Sequence, residues 1–151
     1  GCSIPTYAIP LRHLAHAFAR VASVVGLSES HARAARRLRQ AVAAAPYMVA
    51  GSGRFDTRVM QHFGGRVFCK VGAEGVHCAA LPELGLGVAI KMDDGNTARA
   101  CEVAQAAVLQ RLLKPDDADA ALLGGLSDMA LRNWNGIEVG RLRAHAALQA
   151  L

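Results

Sequence analysis

Between Pro10 and Val25 the apolar residues Leu11, Leu14, Ala15, Phe18, Val21, Ala22 and Val25 recur at steps of three and four, the spacing of one helix face. Pro10 suits the first turn of that helix and Gly26 suits its stop. A second helix is predicted from a Ser28 or Ser30 cap to about Ala45, ahead of Pro46, with Ala32, Ala35, Leu38, Val42 and Ala45 as its inner stripe. Residues 46–65 change character. Gly51 and Gly53 bracket a tight turn, Asp56 or Thr57 can cap a short helix through Phe63, and Gly64-Gly65 breaks it. Three short apolar runs follow, Val67–Val71, Val76–Leu81 and Leu86–Met92, separated by Gly or Pro. Parallel strands need a crossover of about a dozen residues, which these links lack, so the runs are expected to form an antiparallel meander. Asp94-Gly95-Asn96 closes it, and Asn96 or Thr97 caps a helix over Ala98–Leu113 whose stripe is Ala100, Val103, Ala104, Ala107, Val108 and Leu112. The tail reads as a short helix from Asp116, a break at Gly124-Gly125, another helix near Ser127–Arg132, an Asn135-Gly136 turn and a last strand over Ile137–Leu142. Together these predict an α+β fold: a three-stranded antiparallel meander plus a C-terminal strand, packed with helices, in one unit spanning residues 1–151.

Composition narrows the class. With 52% hydrophobic residues the chain can bury a core and is not intrinsically disordered. No run of about 18 uncharged apolar residues is present, so no membrane partner is expected. The net charge of +5 is uneven. Residues 1–66 carry nine arginines against Glu29 and Asp56, whereas residues 67–151 carry eight cations against ten anions. Arg33, Arg36, Arg37 and Arg39 concentrate the excess, but no aromatic residue lies among them, so a solvated helix face is expected rather than a nucleic-acid partner. His13 and His16 are spaced to share a helix face, as ordinary surface residues or as a metal-binding pair. Cys2, Cys69, Cys78 and Cys101 form no C-x-x-C pair, and in a core-rich chain they read as reduced thiols of a cytoplasmic protein. The start at Gly1-Cys2, without Met or a signal-peptide pattern, leads to the expectation that other residues precede it.

Three segments carry candidate chemistry. Lys70 ends an apolar run just before Gly72-Ala73-Glu74-Gly75, where its ammonium can overlook a cleft or simply face solvent. Burial would lower its pKa and make it a proton shuttle, and otherwise it is a cation for a carboxylate or an oxyanion. Gly72 and Gly75 allow a ligand to approach the backbone closely. Glu74 can receive a substrate ammonium or pair with Lys70. In the turn before the short helix, Arg54 can grip a carboxylate bidentately, while Asp56 caps its helix or acts chemically. Cys2 is a thiolate metal ligand or a buried structural thiol.

Five blocks in order, G-C-S-I-P-T at 1–6, A-G-S-G-R-F-D-T at 50–57, K-V-G-A-E-G-V at 70–76, D-D-G-N at 93–96 and N-W-N-G-I-E-V-G at 133–140, resemble the asparaginase II family of rhizobial type over essentially the whole chain. The resemblance implies hydrolysis of L-asparagine to aspartate and ammonia. It also implies a fold similar to serine β-lactamases, penicillin-binding proteins and some glutaminases, with a serine nucleophile in Ser-x-x-Lys and a nearby zinc. On it, Lys70 is the catalytic lysine beside the nucleophile and Cys2 is the zinc ligand of an Asp-Gly-Cys motif. Arg54, Gly72 and Glu74 are the chemistry-led choices for holding the substrate.

No Ser-x-x-Lys occurs in this chain. The expectation is therefore the C-terminal half of an asparaginase, inactive by itself, whose nucleophile and remaining zinc ligands come from an N-terminal half. Zinc is expected in the intact enzyme and is not held tightly by this chain alone. A homo-oligomer is expected to form through uncovered faces of the meander or of the Ala98–Leu113 helix. The rival reading is a non-catalytic binding or interaction module on the same scaffold.

Overall fold

A computed structural model describes residues 4–149. Helix α1 spans Leu11–Ser23, with Pro10 at its N-cap; it closes on Val24 in the left-handed region (φ 60°), ahead of the Gly26 expected to stop it. Helix α2 spans Glu29–Ala44, and Ser28 is its cap, accepting a hydrogen bond from the His31 N–H. A short α3 (Tyr47–Ala50) leads into α4 (Phe55–Phe63). Arg54 holds the N-cap position of α4 without a side-chain cap, and Asp56 and Thr57 lie inside the first turn. Thr57 Oγ1 donates back to the Gly51 carbonyl at 2.7 Å, tying the glycine-bracketed turn to the helix it precedes.

A 3-10 turn over Gly64–Arg66 delivers the chain to β1 (Phe68–Val71), β2 (Val76–Leu81) and β3 (Leu86–Lys91). They form the expected antiparallel meander in the order β1-β2-β3. Phe68 faces Ala80, Lys70 faces Cys78, Val71 faces His77, and Ala80 faces Gly87. Helix α5 spans Ala100–Leu113, and Asn96 prepares it: its Oδ1 accepts the Ala98 and Arg99 N–H groups at 2.9 and 3.1 Å.

The tail differs from expectation. Helix α6 (Asp117–Ser127), capped by Asp116, runs through Gly124-Gly125 without a break. Two helical glycines cost about 1 kcal/mol each, and burial of Leu123 and Leu126 on the same helix offsets that cost. Residues Asp128–Arg132, expected as helix, form β4 instead and pair with β5 (Glu138–Arg143). The turn decides this. Asn133 Oδ1 accepts the Asn135 and Ile137 N–H groups, and Gly136 takes φ 77°, so the chain reverses and brings β5 alongside residues 128–132. Arg141 pairs with Asp128 across the hairpin at 2.9 Å. The C-terminal strand therefore exists, but it belongs to a separate two-stranded sheet and does not extend the meander. A short α7 (Ala146–Gln149) ends the described chain.

Both faces of β2 are covered, and all of His77 to Leu81 is buried. On one face α1 lies directly on the sheet: Phe18 meets Phe68 with ring centroids 5.9 Å apart, and a Cβ on Gly87 would fall 2.0 Å from the Ala15 carbonyl oxygen. On the other face Cys69, Ala79 and Leu81 join Phe55, Val59, Met60 and Phe63 of α4, Ala106 and Leu109 of α5, and Leu123 and Leu126 of α6 in one core. The meander and α5 are thus enclosed, not the uncovered faces expected to drive association. Apart from Leu84 and Leu86 at the β2–β3 turn, the exposed large apolar side chains are elsewhere, including Tyr7, Met48, Trp134, Ile137 and Val139.

Candidate active site

The predicted residues fall into two places. Lys70 lies near the end of β1, Gly72 and Glu74 lie on the β1–β2 connection, and Arg54 lies at the entry to α4. Lys70 is exposed, and its Nζ donates to the carbonyl oxygen of the next residue, Val71, at 2.6 Å. It does not pair with Glu74. The Glu74 side chain lies against Gly95, its backbone takes φ 58°, and its carbonyl accepts from Lys91 Nζ at 2.5 Å. Gly72 N–H closes the connection on Val76 O at 2.7 Å.

Two glycines of the connection are there for different reasons. A Cβ on Gly72 would press on Val76 Cβ at 3.2 Å. Gly75 has φ 69°, and its Cβ would stand 3.0 Å from Met92 O and 3.1 Å from the Gly95 backbone. The Gly75 carbonyl accepts from Met92 N–H at 2.8 Å and from Cys101 Sγ at 3.3 Å, which locks the connection to the end of β3 and the start of α5.

A buried hydrogen-bonded pair at this end of the sheet involves a residue that the sequence pattern did not single out. His77 is fully buried, and its Nε2 lies 2.8 Å from Asp56 Oδ1, with Asp56 only 2% exposed. The other carboxylate oxygen, Oδ2, accepts the Val71 N–H at 2.8 Å. Asp56 is therefore not a helix cap; its side chain turns inward onto the sheet. Burial alone pushes its carboxyl up, but the hydrogen bond and charge of His77, the Val71 N–H and the charge of Lys70 outweigh this and hold it below its ordinary value. An ionised carboxylate only accepts, so His77 Nε2 carries the shared hydrogen. His77 Nδ1 has no partner among the described residues, and the ring sits edge-on to Phe55 at 5.1 Å. A signal for this pair was present: a histidine inside V-H-C-A-A-L needs a buried partner, and Asp56 and Glu29 are the only acids in residues 1–66.

Arg54 is exposed, and its charge reaches Glu102 in the first turn of α5. Burial raises the Glu102 carboxyl and Asp56 adds to that, while Arg54, His77 and Arg58 oppose it. Arg54, Asp56, His77 and Glu102 thus share one electrostatic neighbourhood, where α4, β2 and α5 meet.

A zinc site was expected at Cys2, which lies outside the described residues. No three His, Cys, Asp or Glu side chains among the described residues are placed to hold a metal ion. Cys69, Cys78 and Cys101 are buried free thiols. Burial first, and nearby anions second, push Cys101 up to about 11, and Cys78 is likewise pushed up to about 11 by burial and by Cys101. These three remain protonated thiols, so the described residues do not by themselves fit a zinc ion.

Compared with known proteins, residues 1–144 match the family model of L-asparaginase II. The chain belongs to the L-asparaginase II family. No curated protein matches it. No described helix is long and apolar enough to cross a membrane.

Proposed function

We propose that this chain serves the hydrolysis of L-asparagine to L-aspartate and ammonia, and the family match over residues 1–144 carries that reading. In the proposed reaction a serine oxygen attacks the side-chain amide carbon. The C–N bond then breaks, and the nitrogen takes a proton and leaves as ammonia. Water hydrolyses the resulting acyl-serine ester and regenerates the hydroxyl. The serine comes from outside these 151 residues, which contain no Ser-x-x-Lys. Lys70, exposed at the end of β1, moves the serine proton or stabilises the oxyanion. Arg54 receives the substrate α-carboxylate, Glu74 its α-ammonium, and Gly72 lets the ligand approach the backbone. In the intact enzyme Cys2 would be one thiolate ligand of a zinc ion, completed by groups outside the described residues. The working protein is a cytoplasmic homo-oligomer.

The missing nucleophile motif favours one alternative, a non-catalytic binding module on the same scaffold. Ammonia release separates the two. The chain alone is expected to be inactive. Combined with the Ser-x-x-Lys-bearing segment of its own protein, it is expected to turn over on the order of 1 per second or more. No turnover in the combined protein would leave the binding module standing.

A further inference from the structure

Lys70 is exposed, yet both of its chain neighbours are tied to one buried residue. Val71 N–H donates to Asp56 Oδ2 at 2.8 Å, and Cys69 Sγ lies 3.9 Å from the Asp56 carbonyl oxygen. Strand β1 is an edge of the sheet. Gly72 N–H points back to Val76 of β2, so by alternation the Val71 N–H points away from β2, to the side where no strand pairs with it. Asp56 fills that side. Its second oxygen holds His77, the direct cross-strand partner of Val71. One carboxylate thus grips both strands of the hairpin at the step where Lys70 emerges and the 72–75 connection begins. The carboxylate is itself fixed by its place in the first turn of α4 and by the His77 ring, which packs edge-on against Phe55.

We infer that Asp56 and His77 are positioning residues for Lys70: the Asp56 carboxylate clamps the backbone at Val71, next to the lysine, and His77 holds that carboxylate in the orientation that reaches Val71. Neither touches substrate, because both are buried. What Lys70 does chemically rests on the asparaginase reading; how it is held does not.

Two measurements test this. The first is amide hydrogen exchange. Asp56→Ala is expected to speed exchange at Val71 by about tenfold or more while α5 amides stay within about twofold, since the opening is local. Should Asp56→Ala fail to fold, Asp56→Ser, too short to reach both partners, carries the same expectation. Asp56→Asn keeps an acceptor for Val71, and its amide donates to His77 Nε2 once the ring proton moves to Nδ1. Exchange at Val71 in that variant should stay within about threefold of the parent. The second is a double-mutant cycle on ammonia release by the intact protein. Asp56→Ala should lower kcat about tenfold or more in the parent but less than about twofold in the Lys70→Met background. A merely structural role would cost the same in both. Unchanged Val71 exchange in Asp56→Ala, Asn loosening Val71 as much as Ala does, or equal kcat losses in the two backgrounds would each overturn the inference. Absence of ammonia release by the parent would count against the asparaginase reading alone, and exchange would then decide the clamp.

Discussion

Asp56, in the first turn of α4, and Lys70, near the end of β1, both bond Val71 yet live in opposite environments, one buried and the other facing solvent. If Lys70 shuttles protons or stabilises the oxyanion, Lys70→Met removes either role while keeping similar bulk. General acid–base assistance is typically worth about 10²–10⁴-fold, so kcat of the intact enzyme should fall by that much with the fold preserved. Lys70→Arg should rescue little, because guanidinium does not release its proton at ordinary pH. Ammonia release together with circular dichroism checks both, and near-normal turnover in Lys70→Met would remove Lys70 from the mechanism. Asp56 makes a separate prediction about stability. Its folded pKa lies below its ordinary 3.8, so the folded state binds fewer protons than the unfolded state around that pH. Its contribution is therefore complete above the unfolded value and is lost as pH falls through the lower, folded one. Asp119 behaves likewise: burial pushes it up, but hydrogen bonds and charge from Arg66 and His62 outweigh this. Urea midpoints should fall steeply below about pH 4. Asp56→Asn should flatten that limb, and an unchanged limb would show that Asp56 titrates normally.

The elements that could be read from sequence were those whose signal is local. The meander followed from short links, α5 from its three-and-four stripe, and the start of α2 from serine capping. The errors came where long-range pairing won. Residues 128–132 carry Met, Ala and Leu, which suit a helix, yet the Asn133–Gly136 turn places them against β5. Lys70, Gly72 and Glu74 could be singled out because glycines mark the connection, whereas His77 hides among apolar neighbours and shows its role only through contact with a residue 21 positions earlier. Gly87 is a similar case, legible only once α1 is seen lying on β3. Its absent side chain lets the Ala15 and Ala19 backbone approach to where a Cβ would clash at 2.0 and 2.2 Å. Both obstacles are backbone atoms of a packed helix and cannot swing aside. Gly87→Ala should therefore force α1 off the sheet and cost about 3 kcal/mol or more, which for a chain of this size lowers Tm by about 10 °C. A shift under about 2 °C would mean that α1 is loosely seated.

On the scale of the whole molecule, the core closes around the meander, so exposed apolar surface is concentrated where the core does not reach. Hairpin β4–β5 is the clearest case. Trp134 at its turn is fully exposed, and Ile137 and Val139 are about 60% exposed, at 59% and 64%. A two-stranded hairpin is marginal alone in water. Besides its backbone pairing, this one carries the Arg141–Asp128 and Arg132–Glu138 ion pairs, which at exposed positions contribute little. Burying Trp134, Ile137 and Val139 against a second molecule would remove several apolar side chains from water at about 25 cal/mol per Å². That makes this hairpin, rather than the enclosed meander or α5, the face through which copies should associate. Trp134 is the only tryptophan, so it reports its own burial. Its emission should be that of a water-exposed indole at low concentration and shift to the blue as concentration rises, in step with the mass from light scattering. Trp134→Ser should weaken association without lowering Tm, because the side chain contributes nothing to the core. A monomer by light scattering over a wide concentration range, or association equally strong in Trp134→Ser, would show that the hairpin is not the contact.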